Sequence, residues 1–318
     1  MSNRKGMMLL VGDNPFHGIS HLSQERARVR GNEATCPENA AALVMSSVEN
    51  GADGFMFSVS DLTLTILRTI REQGKVDKLG LHAMVPYAFE YVRVATQTGT
   101  PGLVKRVAKQ IAVSGNVGAM VSGLKAVMTA NPTALLRAYL AYEISRIRSV
   151  AKHANLVSVF LNEVITDMSL GLNLDWLFKS YVEFMSERGI TPGFNTRNFP
   201  YFVKKSEEWG IDLQHTLIAT PFNKIGFQMN PSKADCEITL KNGPELNLVA
   251  ISIFASGYLQ PLEAIDYIRS LPNIRGVCIG VSKEKHAHET FKLLRERLED
   301  YQQNTISSSS LLRKTTQE

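Results

Sequence analysis

The sequence predicts a single (β/α)8 barrel over residues 1–303, an α/β fold in which eight parallel strands alternate with helices. Two observations support this prediction. Eight short apolar segments alternate with amphipathic ones, and most are apolar throughout, as strands covered on both faces are. At 318 residues the chain is also long enough for one such barrel. An open, doubly wound sheet is the alternative, but it gives no reason for eight units.

The strands are predicted where a short apolar segment ends in a polar or glycine-containing turn. In chain order they are MMLLVG (7–12), ADGFMFSVS (52–60), KLGLHAMV (78–85), NLVSVFLNEV (155–164), ITPGFNT (190–196), HTLIATPFN (215–223), LNLVAISIFASG (246–257) and IRGVCIGVS (274–282).

Helices are predicted between the strands, where apolar residues recur at three- and four-residue spacing. The first of them begins with Pro37 and Glu38 and is closed by Gly51, which are typical helix start and stop signals. The stretch 224–243 is polar and is predicted to be irregular. The predicted helical segments are 36–51, 61–74, 174–189, 199–210, 261–272 and 283–304.

Two segments depart from the regular alternation. Residues 87–150 are predicted to form a helical insertion after strand three, and an insertion of this length in a barrel is usually a lid or a contact between subunits. Its basic amphipathic helices would also suit a membrane surface, but a lid or dimer arm is preferred. We therefore expect a homo-oligomer. The Ser-rich residues 304–318 are predicted to be a flexible tail.

Composition limits the class of protein. Lys and Arg number 35 against 30 Asp and Glu, a modest and scattered excess that favours a small anionic ligand over nucleic acid. The cysteines at 36, 236 and 278 are far apart, which excludes a disulfide framework or zinc knuckle and favours a reducing cytoplasm. No apolar segment is long enough to span a membrane.

Polar residues follow the predicted strands, and in this fold the loops after the strands build the active site at one rim. We predict that Asp13, His17 and Glu163 supply acid–base chemistry. His17 is the first choice for proton transfer, because the ordinary pKa of histidine is near neutrality. The residues predicted to orient a substrate are Asn14, Asp61, His82, Asn162, Asn195, Arg197 and Asn223.

The turns after strands seven and eight combine small residues, hydroxyls and lysines ahead of the final helix. Backbone N–H groups at a helix N-terminus bind anions, and these two loops are the usual phosphate site of the fold. The alternative is ordinary helix capping by Ser282, with Lys283 and Lys285 solvated. The residues predicted to bind a phosphate or cofactor are Ser256, Gly257, Gly280, Ser282 and Lys283.

A resemblance to a known family supports cofactor binding by these residues. PGFNTRNFPYFVKKSEEWGIDLQHTLIATPFNK, VAISIFASGYL and IGVSKEKHAHETFKLL, which span about the last third of the chain, resemble the aldo-keto reductases. The resemblance implies that the five residues just named hold the pyrophosphate of NADP. It does not extend to the catalytic tetrad: FSVSD has no matching Tyr, GLHAMVP has no Lys, and FLNEV has no His.

Two other chemistries are weighed at the same rim. Asn162-Glu163 resembles the acid/base position of barrel glycosidases, but strand seven ends in Ala-Ser-Gly and lacks the second carboxylate. A pairing of Glu163 with Arg197 is the simpler interpretation. Lys224 could form a Schiff base, as in barrel aldolases, but its loop position favours a solvated lysine.

A divalent metal is a further alternative. Asp13, His17, His82 and Glu163 are ligand types that suit Zn²⁺ or Mn²⁺, although no paired-histidine spacing is present. His82, alone in an apolar strand, is more simply a buried core histidine.

The sequence therefore predicts a barrel enzyme that acts on a small phosphorylated or anionic metabolite, as a lyase or isomerase. An NAD(P)H-dependent oxidoreductase with a non-standard catalytic set is one alternative. A non-catalytic barrel that binds a ligand or partner is the other, and His17→Ala or Glu163→Gln would leave its partner binding intact.

Overall fold

A computed structural model describes residues 6–18, 36–86 and 131–298. Eight parallel strands form a closed barrel in which each strand pairs with its neighbours in sequence and β8 pairs with β1. This confirms the predicted (β/α)8 fold. The strands are β1 Met8–Gly12, β2 Gly54–Ser58, β3 Gly80–Val85, β4 Asn155–Leu161, β5 Thr191–Asn195, β6 Leu217–Pro221, β7 Asn247–Ile251 and β8 Ile274–Gly280.

Helices follow the strands and surround the barrel. The longer ones are α1 Pro37–Glu49, α2 Asp61–Glu72, α3 Pro132–Val150, α4 Glu163–Gly171, α5 Asp175–Ser186, α6 Phe199–Trp209, α7 Lys233–Asn242, α8 Pro261–Arg269 and α9, residues 284–298. Single 3-10 turns occur at Asn14–His17, Val76–Lys78 and Ala255–Gly257.

Two apolar layers hold these elements together. The larger layer lies between strands and helices, and the smaller one fills the barrel with Leu10, Met56, Phe160, Ala219 and Val249. The interior is crowded enough to require small residues: a Cβ at Gly193 would lie 2.5 Å from the Phe160 ring. The barrel is thus a packed core rather than a pore, and a ligand site has to lie at its end.

Tyr181 of α5 joins the helix layer to the barrel. Its ring is fully buried, and its hydroxyl lies between β4 and β5, beside the carbonyl oxygen of Val159. The hydroxyl oxygen of Tyr181 also accepts from the Gly193 backbone N–H at 3.1 Å. The hydroxyl therefore satisfies backbone groups of both neighbouring strands.

Arg295 of α9 closes the end of the barrel where the strands begin. Its guanidinium donates to the carbonyl oxygens of Gly51 and Met7, the latter at 3.2 Å, and to Asp53 Oδ2 at 2.8 Å. The same carboxylate oxygen accepts from the Leu9 backbone N–H at 2.9 Å. The last described helix is therefore fastened to the first two strands.

The structure adds two helices to the predicted set. The stretch 224–243, predicted to be irregular, contains α7, and α4 begins directly where the predicted fourth strand was extended to 164. Within the predicted insertion 87–150, α3 packs against α2 and α5 and so takes the place of the barrel helix after β3. Residues 87–130 and the predicted tail 304–318 lie outside the described residues. Among the helices of the described ranges, none combines the length and apolarity needed to cross a membrane.

Candidate functional site

The loop after β1 brings Asp13 and His17 together. Asp13 precedes the 3-10 turn Asn14–His17, and the turn folds the imidazole back over the carboxylate. His17 Nε2 lies 3.1 Å from Asp13 Oδ2, and both side chains are less than a tenth exposed. Because a carboxylate only accepts hydrogen bonds, this contact requires a proton on Nε2. Two of the three residues predicted for acid–base chemistry, Asp13 and His17, are therefore in contact.

Asp13 is itself fixed by the neighbouring strand. Its Oδ2 accepts from the backbone N–H of Ser58, the last residue of β2, at 2.6 Å. A carboxylate held in this way sets the orientation and tautomer of the imidazole bonded to it. The pair could donate and accept a proton at the mouth of the barrel.

A second cluster lies at the ends of β4 and β5. Glu163 is the first residue of α4, and the guanidinium of Arg197 donates to it twice, from Nε at 2.9 Å and from Nη2 at 2.8 Å. Each side chain is 28% exposed. The pairing of Glu163 with Arg197, the simpler interpretation of the sequence, is therefore present. The two opposite charges offset each other.

Sequence reasoning missed Asp167, which completes this cluster. Its carboxylate accepts from the Thr196 hydroxyl at 2.6 Å and from the Arg197 backbone N–H at 3.0 Å, and burial raises its pKa. Asp167 follows Glu163 by four positions, so both carboxylates lie on one face of α4. That spacing was the available signal. α4 thus holds Arg197 by its backbone and by its side chain.

Met84, Asn162 and Asn195 lie beside this cluster. The Nδ2 groups of the two asparagines are directed at the Met84 sulfur, at 3.4 Å from Asn162 and 3.7 Å from Asn195. Asn195 Nδ2 also lies 3.4 Å from Glu163 Oε2. Asn195 is 4% exposed, and its Oδ1 is buried without a hydrogen-bond partner among the described residues.

His82 lies inside the barrel and away from these clusters. Its Nδ1 is 2.8 Å from the Ser158 hydroxyl, and its ring packs against Gly54 at the start of β2. Burial lowers the pKa of His82 to about 4, so the imidazole is neutral near pH 7. The structure therefore places His82 as a buried core histidine.

Three other residues predicted to contact the substrate are either exposed to solvent or bonded to other parts of the protein. Asn14 is exposed, and Asp61 at the start of α2 pairs with Arg146 of α3 at 3.0 Å. Asn223 is fully buried, and its amide exchanges two hydrogen bonds with the backbone of Phe227, which closes the loop after β6. Neither Asp61 nor Asn223 joins the two clusters described above.

The loop after β7 has an unusual backbone. Ser252, Ala255 and Ser256 have φ values of 55°, 45° and 61°, a region that residues other than glycine rarely adopt. Backbone strain of this kind is concentrated at functional loops. However, the Gly257 N–H already donates to the Phe254 carbonyl oxygen at 2.8 Å, so it is not available to an anion in this conformation.

At the end of β8, Gly280 meets the loop after β1. A Cβ at Gly280 would lie 2.7 Å from Pro15 Cδ, so a glycine is required here by the packing of the first loop. Lys283 is exposed and precedes the first residue of α9, and its carbonyl oxygen accepts from Ala287. The N-cap position is therefore that of Lys283, not Ser282. The first turn of α9 still presents backbone N–H groups beside this lysine.

The remaining alternatives can be placed as well. Lys224 lies in the loop after β6 and pairs with Glu263 at 2.6 Å, as a surface lysine does. Of the four residues considered as metal ligands, Asp13 and His17 are in contact, but the four do not form one group. Within the described ranges, no group of three His, Cys, Asp or Glu residues could hold a metal ion.

Known structures share this fold at very low sequence identity. A candidate aldo-keto reductase from Pseudomonas aeruginosa is 10% identical, with a TM-score of 0.56, over 91% of this chain and 90% of that one. A second such structure from the same organism gives 0.55 over the same shares, again at 10% identity. An aldo-keto reductase from a Medee basin deep-sea metagenome library gives 0.47 at 10% identity, over 84% and 86%. No protein-family model and no curated protein sequence matches the chain. What this chain shares with aldo-keto reductase-type structures is therefore the (β/α)8 barrel.

Proposed function

We propose that the protein is an enzyme that performs acid–base chemistry on a small anionic or phosphorylated metabolite, as a lyase or isomerase. The observation that carries this proposal is the contact between Asp13 and His17, 3.1 Å apart in the loop after β1. Loops at this end of a (β/α)8 barrel bear the chemistry in characterised enzymes of the fold. In this proposal His17 transfers the proton and Asp13 orients the imidazole.

Glu163 and Arg197 form the opposing part of the proposed site. Their bidentate pair keeps a carboxylate and a guanidinium at fixed positions, both partly exposed. Rigid placement of charged groups lowers the cost of arranging them around a transition state. We propose that Glu163 assists proton transfer and that Arg197 orients the substrate.

The anion is proposed to bind at the β7–β8 part of the rim. The carboxylates of Asp13 and Asp167 are unfavourable neighbours for a phosphate at the ends of β1 and of β4–β5. At β8 the first turn of α9, Ser282 and the exposed Lys283 offer donors and a positive charge. Ser256 in the strained loop after β7 is the proposed neighbouring contact.

Hydrogen exchange into substrate tests the chemistry. A panel of phosphorylated aldoses, ketoses and hydroxy acids is incubated with the protein in D2O, and loss of C–H signals is followed by proton NMR. We expect exchange with at least one compound, reduced about 10²- to 10⁴-fold in His17→Asn, the range typical of general acid–base catalysis.

A matched control is available in the same chain. His215 also contacts an aspartate, Asp212, at 2.7 Å, but it lies before β6 at the opposite end of the barrel. His215→Asn should exchange like the wild type. No exchange with any compound, or unchanged exchange in His17→Asn, would contradict the proposed chemistry.

A nicotinamide-dependent reductase is the second candidate function. The resemblance of the C-terminal third and the donors at the start of α9 favour it, and Ser256, Ser282 and Lys283 would hold the cofactor phosphates. Fluorescence titration with NADPH and NADH tests it. Saturable micromolar binding that weakens in Lys283→Ala would support this candidate, and an absence of binding at millimolar cofactor would remove it.

Subunit organisation and compartment belong to the proposal too. We propose a cytoplasmic homo-oligomer, on the basis of the separated cysteines and the length of the segment after β3. Sedimentation velocity at several concentrations tests the oligomeric state.

A further inference from the structure

Asn162 and Asn195 hold their amide groups in orientations that the surrounding contacts dictate. Asn162 is the N-cap of α4, and its Oδ1 accepts from the Val164 backbone N–H at 3.0 Å, so its Nδ2 must face Met84. Asn195 Nδ2 lies 3.4 Å from a carboxylate oxygen of Glu163. Rotating that amide by half a turn would bring Oδ1 against the same carboxylate, which is repulsive. Both orientations are therefore fixed.

These orientations leave the two amides only partly satisfied. Asn162 Nδ2 has the sulfur of Met84, a weak acceptor, and Asn195 Nδ2 shares that sulfur in addition to its 3.4 Å contact with Glu163 Oε2. Asn195 Oδ1 is buried and has no partner among the described residues. A buried polar group without a partner costs about 1–3 kcal/mol, and such groups in a native protein call for an explanation.

The charges nearby indicate which ligand group would satisfy the amides. Glu163 and Arg197 offset each other, and Asp167 is occupied by Thr196 and the Arg197 backbone. The Glu163–Arg197 pair therefore offers no net charge that would attract either an anion or a cation. A hydroxyl is uncharged, and it can accept a hydrogen bond from an asparagine Nδ2 while it donates one to Asn195 Oδ1.

We propose that Asn162 and Asn195 form a subsite for a hydroxyl group of the substrate and that Met84 covers this subsite until the substrate binds. Methionine suits this part because its unbranched side chain changes conformation readily. The inference deepens the proposed function and rests on it: the substrate carries its anion at the β7–β8 side and a hydroxyl at the β4–β5 side. Its chemical class is thus a phosphorylated polyol or sugar. Asn195 is the specificity-determining residue.

Two ligands that differ only in hydroxyl groups test the inference. Calorimetric titrations compare glycerol 3-phosphate with propyl phosphate, using the wild-type protein and Asn195→Leu. We expect the wild type to bind glycerol 3-phosphate about tenfold more tightly, which corresponds to one or two hydrogen bonds. Asn195→Leu should bind the two compounds equally and keep its affinity for propyl phosphate. Asn247→Leu, at the start of β7 and so at the opposite end, should keep the preference.

The outcomes separate the subsite from the proposed function. Equal binding of both compounds by the wild type overturns the subsite and leaves the anion site standing, without reliance on any variant. A preference that survives in Asn195→Leu overturns the assignment to Asn195. If neither phosphate compound binds, the anionic part of the proposed function fails, and saturation-transfer NMR with xylitol decides the subsite. Transfer that is lost in Asn195→Leu supports it, and no transfer, or transfer that persists, overturns it.

Discussion

His82 is a titratable residue that the barrel interior keeps neutral. Burial lowers its pKa from an ordinary value of 6.5 to about 4. As the pH falls below 6.5 the unfolded chain takes up a proton that the folded chain does not, so the folded state loses stability down to about pH 4. The loss is reversed as the pH rises above the unfolded value.

We expect His82 alone to lower the free energy of unfolding by about 2 kcal/mol between pH 7.5 and pH 5. Urea denaturation of the wild type and of His82→Gln at both pH values measures it. The pH dependence of the free energy of unfolding should be weaker in His82→Gln than in the wild type. Equal pH dependence in the wild type and His82→Gln would contradict the prediction.

The hydroxyl of the buried Tyr181 is a second single group that contributes to the stability of the fold. Tyr181→Phe removes the hydroxyl but keeps the ring, and it leaves the Gly193 N–H and the Val159 carbonyl oxygen without this partner. We expect a loss of about 1–3 kcal/mol in the free energy of unfolding, measured by guanidinium denaturation. Tyr201→Phe is the matched control, because Tyr201 is 37% exposed, and it should cost less than about 0.5 kcal/mol.

At the scale of secondary-structure elements, α4 determines the shape of the β4–β5 side of the rim. Asp167→Ala removes the acceptor of both the Thr196 hydroxyl and the Arg197 N–H. We expect a destabilisation of about 2 kcal/mol in chemical denaturation, since buried donors lose their partner. Asp175→Ala, in the first turn of α5 and exposed, should cost about 0.5 kcal/mol or less. Equal losses in the two variants would argue against a clamping role for α4.

The secondary-structure elements differ in how well they can be predicted from their sequences. The strands were predictable because their buried residues are continuous, as in GFMFS of β2. α7 was missed because only Cys236 and Leu240 of its ten residues are buried, so no apolar stripe marks it. The Glu163–Arg197 pair could be anticipated from strand ends that are neighbours in the barrel. The closed amide of Asn223 could not, because its partner is the backbone of its own loop.

At the scale of the whole molecule, α9 fastens the barrel. Arg295→Met removes the donors to Gly51, Met7 and Asp53 and leaves the Asp53 carboxylate without this partner. We expect a loss of about 2–4 kcal/mol in the free energy of unfolding, in a single cooperative transition. Arg275→Met, whose arginine is half exposed and pairs with Glu245 at 3.4 Å, should change stability by less than about 1 kcal/mol.

The same fastening has a consequence for how the protein is made. β1 is synthesised before the other seven strands, yet its pairing with β8 and the contact from Arg295 to Met7, 288 positions apart, form only after those strands have been made. Until then one edge of β1 has no strand beside it. An unpaired edge is a template for aggregation with other chains, and partly made barrels expose apolar surface as well. We therefore expect the growing chain to need chaperone protection on the ribosome, and the need to end once residue 295 has emerged.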